Sequence, residues 1–205
     1  LTIDPSTEDI YITGTTSGKV IGIGAFENQI LVVRYSSNGQ EYWQKVLGTD
    51  TNDDYGTSIL VHKNGNIFVS GTSTNLNTNY SDVFVYTLNK SGVVIKNTTW
   101  GSSFDDSIDG IASDSQGNIY IAGYTSGNLD GNFHAGGYAD AFITKMNSSH
   151  QRLWTKTFGT SKNEKYKGIH IDKNDNIQIT GFTQGTIWGQ TNKGGTDILI
   201  FKNKF

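Results

Sequence analysis

Cysteine is absent from all 205 residues, so no disulfide can staple the fold and no thiolate can hold a metal. Excess positive charge is absent too. The 16 Lys and Arg stand against 19 Asp and Glu, a net charge of −3 with a pI near 5.7. That balance leaves no basic footprint for nucleic acid and no polybasic patch for a membrane surface. No apolar run approaches the length that spans a bilayer, so membrane insertion is not expected. No window carries a sustained helical stripe. No signal peptide is seen, and a chain that opens on a core strand is expected to have lost or omitted its true N-terminus. What remains is one domain's worth of chain, rich in Asn, Gly, Ser and Thr and 12% aromatic. This is the make-up of loop-rich β structure rather than of disorder.

A phrase returns four times: Asp9–Thr16, Asn66–Ser73, Asn118–Thr125 and Asn176–Thr183, clearest in the third copy as Asn118-Ile119-Tyr120-Ile121-Ala122-Gly123-Tyr124-Thr125. Its glycines, Gly14, Gly71, Gly123 and Gly181, lie 57, 52 and 58 residues apart, a unit of blade size. Four segments recur around each phrase. A short apolar segment precedes it (Leu1–Asp4, Ile59–His62, Ile111–Asp114, Ile169–Asp172), a third follows a longer loop, and a fourth follows a tight turn such as Asn38-Gly39. The segments are short, rich in Ile, Val, Phe, Tyr and Thr, and bounded by Gly, Asn, Asp and Ser, which marks them as strands. The second and third are apolar on both faces, so each sheet is sandwiched between two others. Four-stranded antiparallel sheets packed face to face make a β-propeller. The blades are expected at about 1–57, 58–109, 110–167 and 168–205. The repeated glycine is expected to admit a neighbouring backbone or ring.

Asp105-Asp106, Gly110–Tyr120, Gly123–Gly131, Asp140–Lys145 and Leu153–Lys156 resemble the bacterial β-propeller repeats known as SBBP repeats. The strand order also resembles NHL-type propellers, in which the first strand lines the channel and the fourth lies outermost. The resemblance implies a secreted or surface bacterial protein, hence an extracellular or cell-surface location, and it carries no catalytic residues to transfer. Asn28-Gln29, in place of an Asp-containing start, and Val93–Lys96, without a Trp, depart from the pattern.

The last unit lacks a fourth strand. Three readings stay open: an arc of a ring of about seven blades, a closed four-blade ring with one three-stranded blade, or two copies in one larger ring. An unpaired blade face would be a large exposed apolar patch. The open end is therefore an expected contact surface, either for the rest of its own propeller or for another copy.

Three sets of residues invite chemistry. Asp54, Asp106 and Glu164 each stand five residues before the Ile of the next first strand and are expected in the interblade linkers. Hard oxygen ligands suit Ca²⁺, but one backbone acceptor per blade that fixes a turn accounts for them more simply, and no other cofactor is implied. Asp4, Asp114 and Asp172, with His62 in the second copy, precede the first hairpin and read as turn residues. The loops between second and third strands, Ser17–Asn28, Thr74–Ser81, Ser126–Ala139 and Gln184–Thr196, project from one face and vary. There Asp130, Asn132, Phe133, His134 and Tyr138, and Trp188 with Gln190, combine rings with polar groups, which suits protein or glycan recognition. The plainer reading tucks Phe133 and Trp188 over a blade edge. Trp43 and Trp154 sit at matching places and read as blade packing.

The four histidines fall at unrelated repeat positions, and no nucleophile elbow, phosphate loop or His-Glu-x-x-His appears. The expectation is therefore a non-enzymatic binding or scaffolding propeller. The alternatives are a structural segment of a larger surface assembly joined through open blade edges, and a channel-mouth lyase or hydrolase.

Overall fold

The computed structural model describes residues 1–17, 28–49 and 51–203. Loop residues 18–27 of the first copy lie outside them. The described residues form strands and no helix, and each sheet runs in simple chain order with every neighbour antiparallel. The first blade holds β1 (Thr2–Ile3), β2 (Ile10–Ser17), β3 (Asn28–Tyr35) and β4 (Glu41–Leu47), and the second β5 (Asn52–Val61), β6 (Ile67–Asn75), β7 (Ser81–Leu88) and β8 (Val94–Trp100). The third holds β9 (Asp106–Ser113), β10 (Ile119–Thr125), β11 (Asp140–Met146) and β12 (Arg152–Phe158). The fourth has three strands, β13 (Glu164–Ile171), β14 (Ile177–Thr183) and β15 (Asp197–Asn203). Four such meanders in tandem are the blades of a β-propeller.

The turns follow from local chemistry. In the first hairpins Asp4 Oδ1 accepts the Ser6 N–H at 2.9 Å, Asp114 Oδ1 the Asn118 N–H at 2.8 Å, and Asp172 Oδ1 those of Asn174 and Asn176 at 2.9 and 3.0 Å. These bonds fold the chain back on itself and set the register of the two strands.

The first strands begin earlier than the apolar pattern suggests. The expected blade limits at 57/58, 109/110 and 167/168 fall inside β5, β9 and β13. The reason is a bulge. Thr57, Asp109 and Lys167 are extra residues against β6, β10 and β14, and the polar stretch before each bulge remains paired. The bulge also explains the repeated glycine. A Cβ on Gly71, Gly123 or Gly181 would lie 1.9, 1.8 or 2.1 Å from the carbonyl oxygen of Tyr55, Ser107 or Lys165, just ahead of the bulge. At Gly71 the Phe84 ring closes in as well, at 2.6 Å. Gly14 meets no described atom within 4 Å, because β1 pairs only with Ile10 and Tyr11 and never reaches it.

The chain divides into two compact units, Leu1–Trp100 and Gly101–Phe205. In the first, Tyr11, Ile30 and Val32 of one blade pack on Ile59, Ile67, Val69, Phe84 and Leu88 of the next. Trp43 stands edge-on to Tyr11 at 6.2 Å and donates its indole N–H to Lys90 O at 3.1 Å, so it spans the two blades as its regular placement suggested. In the second unit, Tyr120, Ala122, Ala141 and Ile143 pack on Tyr166, Ile177, Ile179 and Leu199, with Trp154 against the cluster. Full burial of such side chains contributes about 1.5–3 kcal/mol each, so each interblade layer is the core of its unit.

Candidate functional site

The first-strand carboxylates lie inside strands rather than in linkers. Asp54 is in β5, and Asp106 and Glu164 open β9 and β13. All three are buried. Each accepts the backbone N–H of the residue after the preceding blade's last glycine: Asp54 from Thr49 at 2.8 Å, Asp106 from Ser102, Glu164 from Thr160 at 2.6 Å. Glu164 also accepts the hydroxyls of Thr160 and Thr183 at 3.0 and 2.8 Å. Burial pushes the Asp54 carboxyl up, against the pull of Ser73 and the Thr49 N–H. Among the described residues no three His, Cys, Asp or Glu side chains gather as a metal donor set. The repeat places one such carboxylate in each of the second, third and fourth blades, bound to the turn that leads into it.

The third and fourth blades build the loops between their second and third strands on one frame. Leu129 pairs with Asn132 and Ile187 with Gln190 across two-residue turns. Asp130-Gly131 and Trp188-Gly189 take positive φ, at 50° and 79° and at 50° and 74°, as a hairpin turn of this twist requires. Leu129 and Ile187 anchor the turns in the core. A third-strand carboxylate then ties each loop end, with Asp140 Oδ2 accepting the Ala135 N–H at 2.5 Å and Asp197 Oδ2 the Lys193 N–H at 2.6 Å.

The seven loop residues do not converge on one point. Asp130 turns to its own blade's outer strand, pairing with Arg152 at 3.0 Å and accepting the Thr155 hydroxyl at 2.5 Å, while Asn132 donates to Thr155 O at 3.2 Å. The sequence places Arg152 and Thr155 on the fourth strand of the blade but does not link them to the loop. Trp188 packs on Phe201 at 4.9 Å and edge-on to Phe158 at 5.8 Å, half over the blade edge, and with Gln190 it lines a depression of about 610 Å³. Phe133 does the opposite: it is 84% exposed, with no ring contact among the described residues. The His134 N–H donates to Asn128 at 2.8 Å, and its Nε2 lies 3.8 Å from Asp140 Oδ1, beyond hydrogen-bond reach. Burial pushes the Asp140 carboxyl up, with the Glu164 charge adding to it against the pull of the Ala135 N–H and His134.

Tyr138 joins a group the sequence reading did not assemble. Its backbone N–H donates to Asn163 Oδ1 at 2.6 Å and its hydroxyl to Asp105 at 3.2 Å. Beside it stands Lys165, whose ammonium lies 3.4 Å from the Tyr124 ring centroid and 5.0 Å from that of Tyr138. Strand alternation already puts Tyr124 on the Tyr120 face; that Lys165 meets it depends on how two blades pack.

Residues 99–130, from the end of β8 to the third loop, match the family described as SBBP, beta-propeller repeat. The Regulatory protein FlaEY of Caulobacter vibrioides is 24% identical over 165 residues, which is 71% of this chain and 17% of that protein. The chain thus spans about a sixth of that relative's length. A solved luciferin-regenerating enzyme resembles the fold with a TM-score of 0.45 and 11% identity, over 96% of this chain and 74% of its own.

Proposed function

We propose that this chain is a non-enzymatic binding module of an exported or cell-surface bacterial protein, recognising a protein or a glycan through the loops between its second and third strands. The observation that carries the reading is a fixed frame with variable display. The loops of the third and fourth blades share turn, anchor and carboxylate tie, yet present Asp130 against Trp188, Phe133 against Thr191, His134 against Asn192 and Tyr138 against Thr196. Side chains that differ on a common scaffold suit recognition. Phe133, 84% exposed on a tied loop, offers a rigid apolar contact that folding does not use. A relative named a regulatory protein fits a role exercised through contacts. The test compares the chain with a variant in which Ser126–Ala139 and Gln184–Thr196 are both shortened, on arrayed glycans and arrayed bacterial envelope proteins. Signals lost in the variant are expected; signals that survive in it, or none from either protein, overturn the reading.

A second reading has its own support. Ile198 and Ile200 hold the repeat places of Ala141 and Ile143, and of Ile30 and Val32, which the following blade buries completely; they are 82% and 73% exposed. This face has the chemistry of a blade-to-blade contact, which suits a structural segment joined to the rest of a propeller or to another copy. In that case Ile200→Asp reduces the native particle, measured by sedimentation, to a 22.4 kDa monomer, whereas a wild-type monomer counts against it.

A further inference from the structure

We propose that Lys165, Tyr124 and Tyr138 form a binding site for a sugar ring that carries a carboxylate. The inference rests on the glycan arm of the reading above and gives it a chemical class.

The bulges bring two lysines of β13 towards β9, and their fates differ. The Lys167 ammonium lies 3.0 Å from both carboxylate oxygens of Asp109 and is satisfied. Lys165, half-buried, makes no ion pair or hydrogen bond through its ammonium among the described residues; its neighbours are the faces of Tyr124 and Tyr138. Lysines are seldom withdrawn from water without a carboxylate partner. Burial, with the Lys167 charge adding to it, lowers this ammonium's pKa, and the charges of Asp109 and Asp105 do not restore it. A ligand carboxylate would supply the missing partner.

The surroundings specify more than an anion. The Tyr138 ring is 53% exposed, yet held at both ends, by its N–H on Asn163 and its hydroxyl on Asp105. A fixed, half-open ring is a platform for the C–H face of a pyranose. Asp105 accepts from Tyr138 and, with further lone pairs, can accept from sugar hydroxyls. The same carboxylates disfavour an acidic peptide, whose additional charges would meet Asp105 and Asp109. They favour a ring bearing a single carboxylate among neutral hydroxyls.

The experiment uses isothermal titration of the whole chain with oligosaccharides ending in glucuronate, galacturonate or N-acetylneuraminate, each beside its methyl ester and a glutamate-terminated peptide. At least one acid should bind about tenfold or more tighter than its ester, the factor expected for one charge-assisted bond. Lys165→Met should lose that margin and Lys165→Arg keep it, with the unfolding midpoint of each unchanged. Equal affinity for acid and ester, an unaffected Lys165→Met, equal binding of the peptide, or no binding of any acid overturns the site. Lys165 lies outside both shortened loops. Array signals that disappear with the loops but survive Lys165→Met would therefore reject this site and leave the broader reading standing.

Discussion

The repeat glycine allows one structural position to be tested against itself. Gly123→Ala would place a methyl 1.8 Å from Ser107 O, with the Ser107 carbonyl carbon and Ile108 Cα at 2.9 and 3.0 Å. None of these can step aside, because Ser107 pairs with Tyr124 and Ile108 with Gly123 itself in the β9–β10 ladder. Relief requires the bulged strand to move by more than 1 Å, roughly, and Ile108, fully buried, must move with it. Overpacking that displaces paired backbone costs about 3 kcal/mol. Gly14→Ala meets no described atom within 4 Å and should be neutral or gain up to about 1 kcal/mol from a less flexible unfolded chain. Urea unfolding followed by circular dichroism gives both values, and hydrogen exchange read by mass spectrometry locates the loss, expected in β9 and β10. Two variants within about 0.5 kcal/mol of each other, or a Gly123→Ala loss with no added exchange in β9, would refute the bulge as the reason for the glycine.

Four substitutions at carboxylates test the fold further. Glu164→Ala removes an acceptor of three hydrogen bonds in a fully buried place and should cost about 3 kcal/mol or more in urea unfolding, whereas Asp130→Asn, which removes the charge of a part-exposed pair with Arg152 but keeps an acceptor for Thr155 and a residue suited to positive φ, should cost about 1 kcal/mol or less. Asp82 and Asp172 should respond to pH in opposite senses. Burial raises the Asp82 carboxyl above its ordinary 3.8, so the fold loses stability as pH rises above 3.8; Asp82→Asn should raise the unfolding midpoint at pH 7, by a margin that shrinks towards pH 4. Hydrogen bonds from Asn176 lower Asp172 to about 2, so its stabilisation is complete above 3.8 and lost as pH falls through about 2; Asp172→Asn should flatten that part of the acid titration.

Strand number, order and the blade unit were legible because they are local. Alternation, turn residues and a phrase recurring every 52 to 58 residues all act within one hairpin or one sheet. The Asx turns at Asp4, Asp114 and Asp172 were legible for the same reason, since donor and acceptor stand two to four residues apart. The polar halves of β5, β9 and β13 were not, because their pairing across a bulge leaves no apolar signature. The sequence named the loop residues together, but their separate fates depended on contacts that span a blade. Trp188 meets Phe158 and Phe201, Asp130 meets Arg152, and Phe133 remains in solvent.

The sequence by itself determined a propeller blade and its repetition, since periodicity and turn chemistry need no knowledge of distant neighbours. The tertiary structure alone decided that Lys165, 41 residues beyond Tyr124, stands over its ring with no ion pair among the described residues. That meeting is set by the packing of one sheet on the next, and no spacing along a chain encodes which side chains two packed faces bring together.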